Sequence, residues 1–252
     1  MRNFHPVSRW PAQTALSLKI GFDGVTLPTK PHYHGHRDRL RARFAQGGIE
    51  ALADYELLEL YLYNSIPRRD IKPLAKTLIE KFGNFSDVIT APIAQLVEIK
   101  GISEKTANDL KLIQAAAVKL GQESVTGRPV LSSWSALLDY CRSAMQFEKK
   151  EQFRVLFLDR KNRLIIDEVL AKGTIDRAPV YPREIIKRAL AHEASAIILA
   201  HNHPSGDPTP SQSDIDMTKQ IVEAAKTIGV TVHDHLIIGR ENTASFKTLG
   251  LM

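Results

Sequence analysis

Residues 194–214 read Ala194-Ser195-Ala196-Ile197-Ile198-Leu199-Ala200-His201-Asn202-His203-Pro204-Ser205-Gly206-Asp207-Pro208-Thr209-Pro210-Ser211-Gln212-Ser213-Asp214. The apolar run from Ala194 to Ala200 has the length of a buried strand. Alternate residues of a strand share a face, so His201 and His203 can reach one point while Asn202 faces away. Pro204 ends the strand, since it has no N–H for the ladder. Gly206, Pro208 and Pro210 shape a tight loop. A helix start follows, with Thr209 suited to the N-cap, Pro210 to the first helical position and Gln212 to a capping box. Ser211 and Asp214 are three apart on that helix and share a face. Folding the loop back brings Asp214 beside the two imidazoles, and two histidines with one carboxylate form a three-ligand catalytic zinc site with its fourth position open.

Working outward, the chain has 252 residues, enough for two modest cores or one large domain. An apolar fraction of 43% is that of an ordinary globular protein. No apolar run approaches the roughly 20 residues of a membrane span, and the arginine-bearing N-terminus lacks the apolar core of a secretory signal. The single cysteine, Cys141, permits no intrachain disulfide, which fits a cytoplasmic location. It also excludes the paired thiolates of the usual zinc deaminases. Cys141 lies in an amphipathic stretch and reads as a small packed hydrophobe. A net charge of +6 permits nucleic-acid contact without demanding it.

Residues 1–34 carry scattered prolines and no sustained period, which predicts a poorly ordered arm. His32, His34 and His36 read as solvated tail histidines, or as loose metal ligands. Arg37, Arg39, Arg41 and Arg43 begin a helical region as a solvated helix start or as a phosphate-facing patch. Residues 35–120 have helical periodicity: a buried helix around Leu57 to Leu62 with Asp54 as its N-cap, a second from Ile71 to Phe82 capped by Gly83, and a short one at 86–89. Residues 121–129 hold Gly121, Gly127 and Pro129 and read as a linker. Beyond it, helical and strand patterns interleave: a helix over 133–147, strands at 153–158 and 163–171, a helix over 182–193, the histidine strand, a helix over 210–227 and a strand over 229–238. That order predicts an α+β or α/β domain at 130–252 with a central mixed sheet. On the last strand, His233 and His235 repeat the His-x-His spacing, as one face of the sheet near the site, as outer partners, or as a second metal pair.

Two resemblances follow. Residues 94–120, a short helix, a turn through Gly101 and a longer helix, resemble the helix-hairpin-helix motif. In that motif the turn's amides at a helix N-terminus hold a DNA phosphate, which points to Gly101, Ser103 and Lys105. Ser103 stands where the motif usually has a second glycine, and such hairpins also serve purely as packing units. His201, His203, Pro204, Ser211 and Asp214 resemble the JAMM motif of the JAB/MPN metalloproteases, a fold of cytidine-deaminase-like type. The longer string His-Asn-His-Pro-Ser-Gly-Asp-Pro-Thr-Pro-Ser resembles the bacterial RadC family, and the likeness extends from Gly35 to Met252. The spacing from Pro204 to Ser211 is one residue shorter than is common in the wider motif, which fits the RadC branch.

The resemblance implies one zinc ion per chain on His201, His203 and Asp214. It implies that Glu151, at the start of the first strand, is the general base for a zinc-bound water, with Glu148 and Glu184 as its competitors. It implies that Ser211 hydrogen-bonds the developing oxyanion, and that the bond cut is an amide in a protein or peptide. Three functions remain: a zinc metallopeptidase-like hydrolase, a DNA-binding protein of repair or recombination with a possible nuclease activity, and a non-catalytic scaffold.

Overall fold

The structure, a computed structural model, describes residues 35–173 and 180–252. The expected arm, with His32 and His34, lies outside the described residues. Helices α1 (His36–Gly47), α2 (Asp54–Ser65), α3 (Lys72–Phe82), α4 (Phe85–Thr90), α5 (Ile93–Val97) and α6 (Glu104–Val125) come first. They enclose a core of Leu58, Leu62, Ala75, Leu78, Val88, Leu96, Ala107 and Leu110. Asp54 is not the N-cap of α2, which is Ala53. The Asp54 carboxylate instead accepts the N–H of Phe85 at 2.9 Å, joining Asn84 in capping α4. The helix it serves is 31 residues away, so local pattern could not reveal it.

The second half holds α7 (Trp134–Met145), β1 (Glu151–Leu158), β2 (Leu164–Gly173), α8 (Pro182–Ala191), β3 (Ala196–Asn202), α9 (Gln212–Thr227), β4 (Thr231–Ile238) and β5 (Thr243–Ser245). The five strands form one mixed sheet in the order β2-β1-β3-β4-β5. The β3–β4 pair is parallel and the others are antiparallel. A parallel pair needs a crossover, and α9 supplies it. Strand alternation divides the core between two faces. Leu156, Ile198, Ala200 and Leu236 pack beneath α7 with Leu137 and Cys141. Phe153, Val155, Ile197 and Leu199 pack beneath α8 and α9 with Ile185, Ile221 and Ala225. His201 continues the second series, so it emerges on the α9 face.

The expected linker at 121–129 is corrected in its first part. Helix α6 runs on to Val125, which is buried in the core of the sheet half. Gly121 lies inside α6 where it passes α7, and a Cβ on it would make only ordinary contacts, 3.4 Å from Ser143 Oγ and 3.5 Å from Tyr140 Cδ2. Gln122 Nε2 donates to Asp167 Oδ1 at 3.0 Å, and Tyr140 Oη donates to Asp167 Oδ2 at 2.6 Å. Arg154 pairs with the same carboxylate. One buried aspartate thus joins α6, α7, β1 and β2. No helix among the described residues is long and apolar enough to cross a membrane.

Candidate metal centre

The site forms where β3 runs out over α9. His201 is fully buried on the strand, and His203 follows it with its N–H still bonded to Ile238 O at 3.0 Å. The turn His203–Gly206 closes with a 2.9 Å bond from Gly206 N to His203 O. Arg240 N then donates to Gly206 O at 2.9 Å, fastening the loop to the end of β4. Only glycine fits at 239: a Cβ there would lie 2.4 Å from Gly206 O and 2.8 Å from Pro208 Cδ. The Asp207 carboxylate accepts Thr209 N at 2.9 Å and Thr209 Oγ1 at 2.6 Å, closing the next turn.

Helix α9 begins two residues later than its sequence suggests. Ser211, not Thr209, is the N-cap, and Asp214 occupies the third helical position of a full capping box. Prolines at 208 and 210 favour extended backbone in the residues before them, which delays the helix. Ser211 Oγ accepts from Asp214 N at 3.2 Å and donates to Asp214 Oδ2 at 2.6 Å, while Ser211 N donates to the same oxygen at 2.8 Å. The cap therefore does more than start a helix, because it sets the rotamer that turns Asp214 toward the histidines.

The ligand atoms of His201, His203 and Asp214 lie within 4.8 Å of one another. His201 Nε2 is 3.0 Å from His203 Nε2 and 3.4 Å from Asp214 Oδ1, and His203 Nε2 is 3.6 Å from Asp214 Oδ2. Tetrahedral zinc with bonds of about 2.0–2.1 Å sets neighbouring donors about 3.3 Å apart, so both the donor types and their spacing fit. His203 Nδ1 lies 2.8 Å from the Asp207 carbonyl, which can only accept. The proton of neutral His203 therefore sits on Nδ1, and its Nε2 lone pair points inward.

Electrostatics separates the three groups. Burial lowers the His201 pKa to about 4, against the attraction of Asp214. His203 is raised: its hydrogen bond with Asp214 outweighs partial burial, and the Asp207 carbonyl and the charge of Glu151 add to the effect. Burial opposes the charge of Asp214, yet His203, His201 and Ser211 together hold its carboxyl well below the usual range.

The structure brings Glu151 near this group without making it a member. It opens β1, and its field reaches His203. Its position depends on Asn202, the residue expected to face away. Asn202 Oδ1 accepts from Gln152 N at 2.8 Å, and Nδ2 donates to the carbonyls of Glu148 and Lys150 at 3.2 Å each. The amide between the two histidines thus pins the backbone on both sides of Glu151. A polar residue inside a buried apolar run was the signal available for it. Of the second histidine pair, His235 goes beneath the site, with Nε2 2.8 Å from His201 Nδ1. His233 does not share its face. A β-bulge there breaks the alternation, and His233 bonds Asn162 Oδ1 at 2.6 Å. Gly101 and Ser103 lie in the helical half, at the turn before α6, and Lys105 lies in the first turn of α6 itself.

Comparison with known proteins assigns both halves. The family model described as RadC-like JAB domain matches residues 131–251, and the one described as UPF0758 N-terminal matches residues 34–108. A UPF0758 protein of Ruegeria pomeroyi is 57% identical over 217 residues, 86% of this chain and 97% of that relative. The chain belongs to the RadC/UPF0758 family. A UPF0758 protein of Rhodobacter capsulatus is 58% identical over 213 residues, covering 84% of this chain and all of the relative. The RadC-like JAB match contains Glu151, both histidines, Ser211 and Asp214. The interval between the two matched regions is largely α6 and its exit, the segment that joins the two cores.

Proposed function

We propose that this RadC-family chain is a cytoplasmic zinc-dependent hydrolase that cuts an amide bond in a protein or peptide, with one zinc ion per chain. The observation that carries this reading is the convergence of two imidazole nitrogens and a carboxylate at zinc spacing, with a second carboxylate beside them. When bound, zinc would polarise the substrate carbonyl and lower the pKa of water toward about 7. Glu151, on the rim, takes the proton of the attacking water on its carboxylate and returns it to the leaving amine. Asn202 keeps that carboxylate in place through the backbone around it. Ser211 is exposed and its hydroxyl proton lies toward Asp214. Rotating its O–H bond aims that proton at a substrate oxygen, while its lone pair keeps the N-cap bond.

The test is metal content of the purified full chain, followed by trapping of peptide substrates on Glu151→Gln. Stoichiometric zinc, lost in His201→Ala, with substrates accumulating on Glu151→Gln, is expected. Absence of zinc from the wild-type protein overturns the reading.

A second reading, DNA contact, has its support at the turn between α5 and α6. Gly101 has φ +106°, and a Cβ on it would lie 3.6 Å from both terminal nitrogens of Arg69. A guanidinium therefore flanks the turn. Lys105 is held by Asp109 at 3.0 Å and the Ser103 hydroxyl by Thr106 N at 3.1 Å. Arg69 and the first amides of α6 would meet the phosphate ahead of those side chains. Binding should fall steeply between 50 and 200 mM salt, as is general for phosphate contacts. No binding at about 50 mM salt ends this reading. Phosphodiester cleavage lost in Glu151→Gln would instead assign the same centre to a nuclease.

A further inference from the structure

We infer that Thr218 and His235 form a relay that fixes the tautomer of His201 and so aims its Nε2 lone pair at the metal position. The inference rests on the proposed metal function for its meaning, but its geometry stands separately.

The relay begins at a group that can only accept, the backbone carbonyl of Asp214. Thr218 Oγ1 lies 2.6 Å from that oxygen, one helical turn on. Two oxygens this close without a proton between them would repel, so the hydroxyl hydrogen points at the carbonyl. The same Oγ1 lies 2.6 Å from His235 Nδ1. Its only hydrogen being committed, Oγ1 must accept, and His235 must carry its proton on Nδ1. His235 is fully buried between the Phe153 and Phe246 rings, at centroid distances of 5.6 and 4.6 Å, an environment that favours the neutral imidazole. A neutral ring has one N–H, so His235 Nε2 is a bare acceptor. It sits 2.8 Å from His201 Nδ1, which must therefore be the donor. That leaves His201 with an unprotonated Nε2 facing His203 and Asp214.

Metal-binding histidines commonly donate their other N–H to a carboxylate or carbonyl, which fixes tautomer and ring orientation. Here a second imidazole takes that place, and its own tautomer is set by a threonine. Thr218 stands on the same helix as Asp214, one turn further on. A single turn of α9 thus supplies one ligand directly and orients a second through two hydrogen bonds. His235 and Thr218 are positioning residues, since neither faces the substrate side.

The prediction can be read without any metal. Long-range proton–nitrogen NMR on metal-free full chain, with labelled histidines at about pH 8, should show the Nδ1–H tautomer at both His201 and His235. Detection of Nε2–H at His201 overturns the inference. Thr218→Val keeps the side-chain shape and removes the acceptor, so His235 is free to protonate Nε2 and His201 is driven to the wrong tautomer. Affinity for zinc or cobalt should fall about 10–100-fold, the usual range for an outer partner of a metal ligand. Thr218→Ser should recover it. A Thr218→Val protein that keeps wild-type metal affinity overturns the inference. Should that variant fail to fold, the tautomer measured on the wild type decides. A wild-type chain that shows both Nδ1–H tautomers but takes up no metal supports the relay and removes the metal function.

Discussion

Two helix starts in this molecule share one local design and differ in consequence. Helix α6 begins after a glycine turn with Ser103 as N-cap, whose hydroxyl accepts the N–H of Thr106 three residues on. Helix α9 begins after a glycine–proline loop with Ser211 as N-cap, whose hydroxyl accepts the N–H of Asp214 three residues on. At α6 the third residue is Thr106, a neutral hydroxyl 3.0 Å from that of its own cap. At α9 it is a carboxylate backed by two imidazoles on a buried strand. The cap is ordinary helix chemistry in both. The difference lies in the sheet, which brings His201 and His203 to the end of β3 and closes the loop against β4. A helix N-terminus becomes a candidate metal centre through what packs behind it.

The largest break in this contrast comes from Asp214→Asn. An amide can still serve the capping box, so the helix start survives. The ligand charge is gone, and metal affinity should fall beyond the 10–100-fold typical of outer partners, measured by chelator competition. Thr106→Ala at the matching position of α6 should leave metal affinity untouched. Next in size is Gly239→Ala. Its Cβ would strike Gly206 O at 2.4 Å, a backbone atom that cannot swing aside. A cost of about 1–3 kcal/mol in thermal or urea unfolding is expected, with weakened metal binding because the loop must shift. Wild-type stability in that variant would show that the loop is not held against β4.

The same contrast explains how much could be read from the chain beforehand. The start of α6, the strand carrying the histidines and the meeting of His201, His203 and Asp214 were legible, because apolar period, glycine, proline and capping residues act over a few positions. One miss was local, the cap of α9, which Pro208 and Pro210 move from Thr209 to Ser211; the other features that stayed hidden or undecided depend on partners distant in sequence. Asp54 caps a helix 31 residues on, and Asn202 fixes backbone 50 residues before it. His235 reaches His201 across 34 residues only because β3 and β4 are parallel neighbours. Gly121 looked like a linker because glycine reads locally as a helix break, whereas α6 runs through it to Val125, whose packing partners lie in the sheet half. The bulge that parts His233 from His235 has no local sign, since a regular strand would put both on one face.

Paired serine variants test the contrast at a finer scale. Ser103→Ala and Ser211→Ala each remove an N-cap, and each should cost about 1 kcal/mol in unfolding free energy. Their effects on the centre should differ. Ser211→Ala also removes a 2.6 Å hydrogen bond that holds the Asp214 carboxylate, so metal affinity and turnover should drop together. Ser103→Ala should change neither. Equal metal affinity in the two variants would mean that Asp214 is placed by the histidines alone.

The smallest effect belongs to the charge beside the first helix start. Asp109 is held below the usual carboxyl range by its hydrogen bond from Ser65 and by Lys105, both in the helical half. A carboxylate with a lowered folded-state pKa adds stability above its unfolded value of about 4, and that stability fades as pH falls through the folded value. Melting temperature should therefore drop slightly less in Asp109→Asn than in wild type between pH 6 and 3. The same substitution releases Lys105 from its 3.0 Å partner at the turn. If the turn meets phosphate, DNA affinity at low salt should rise in Asp109→Asn while metal affinity stays constant. A rise in neither would leave the first helix start as a packing element, and the chemistry of the chain at the second.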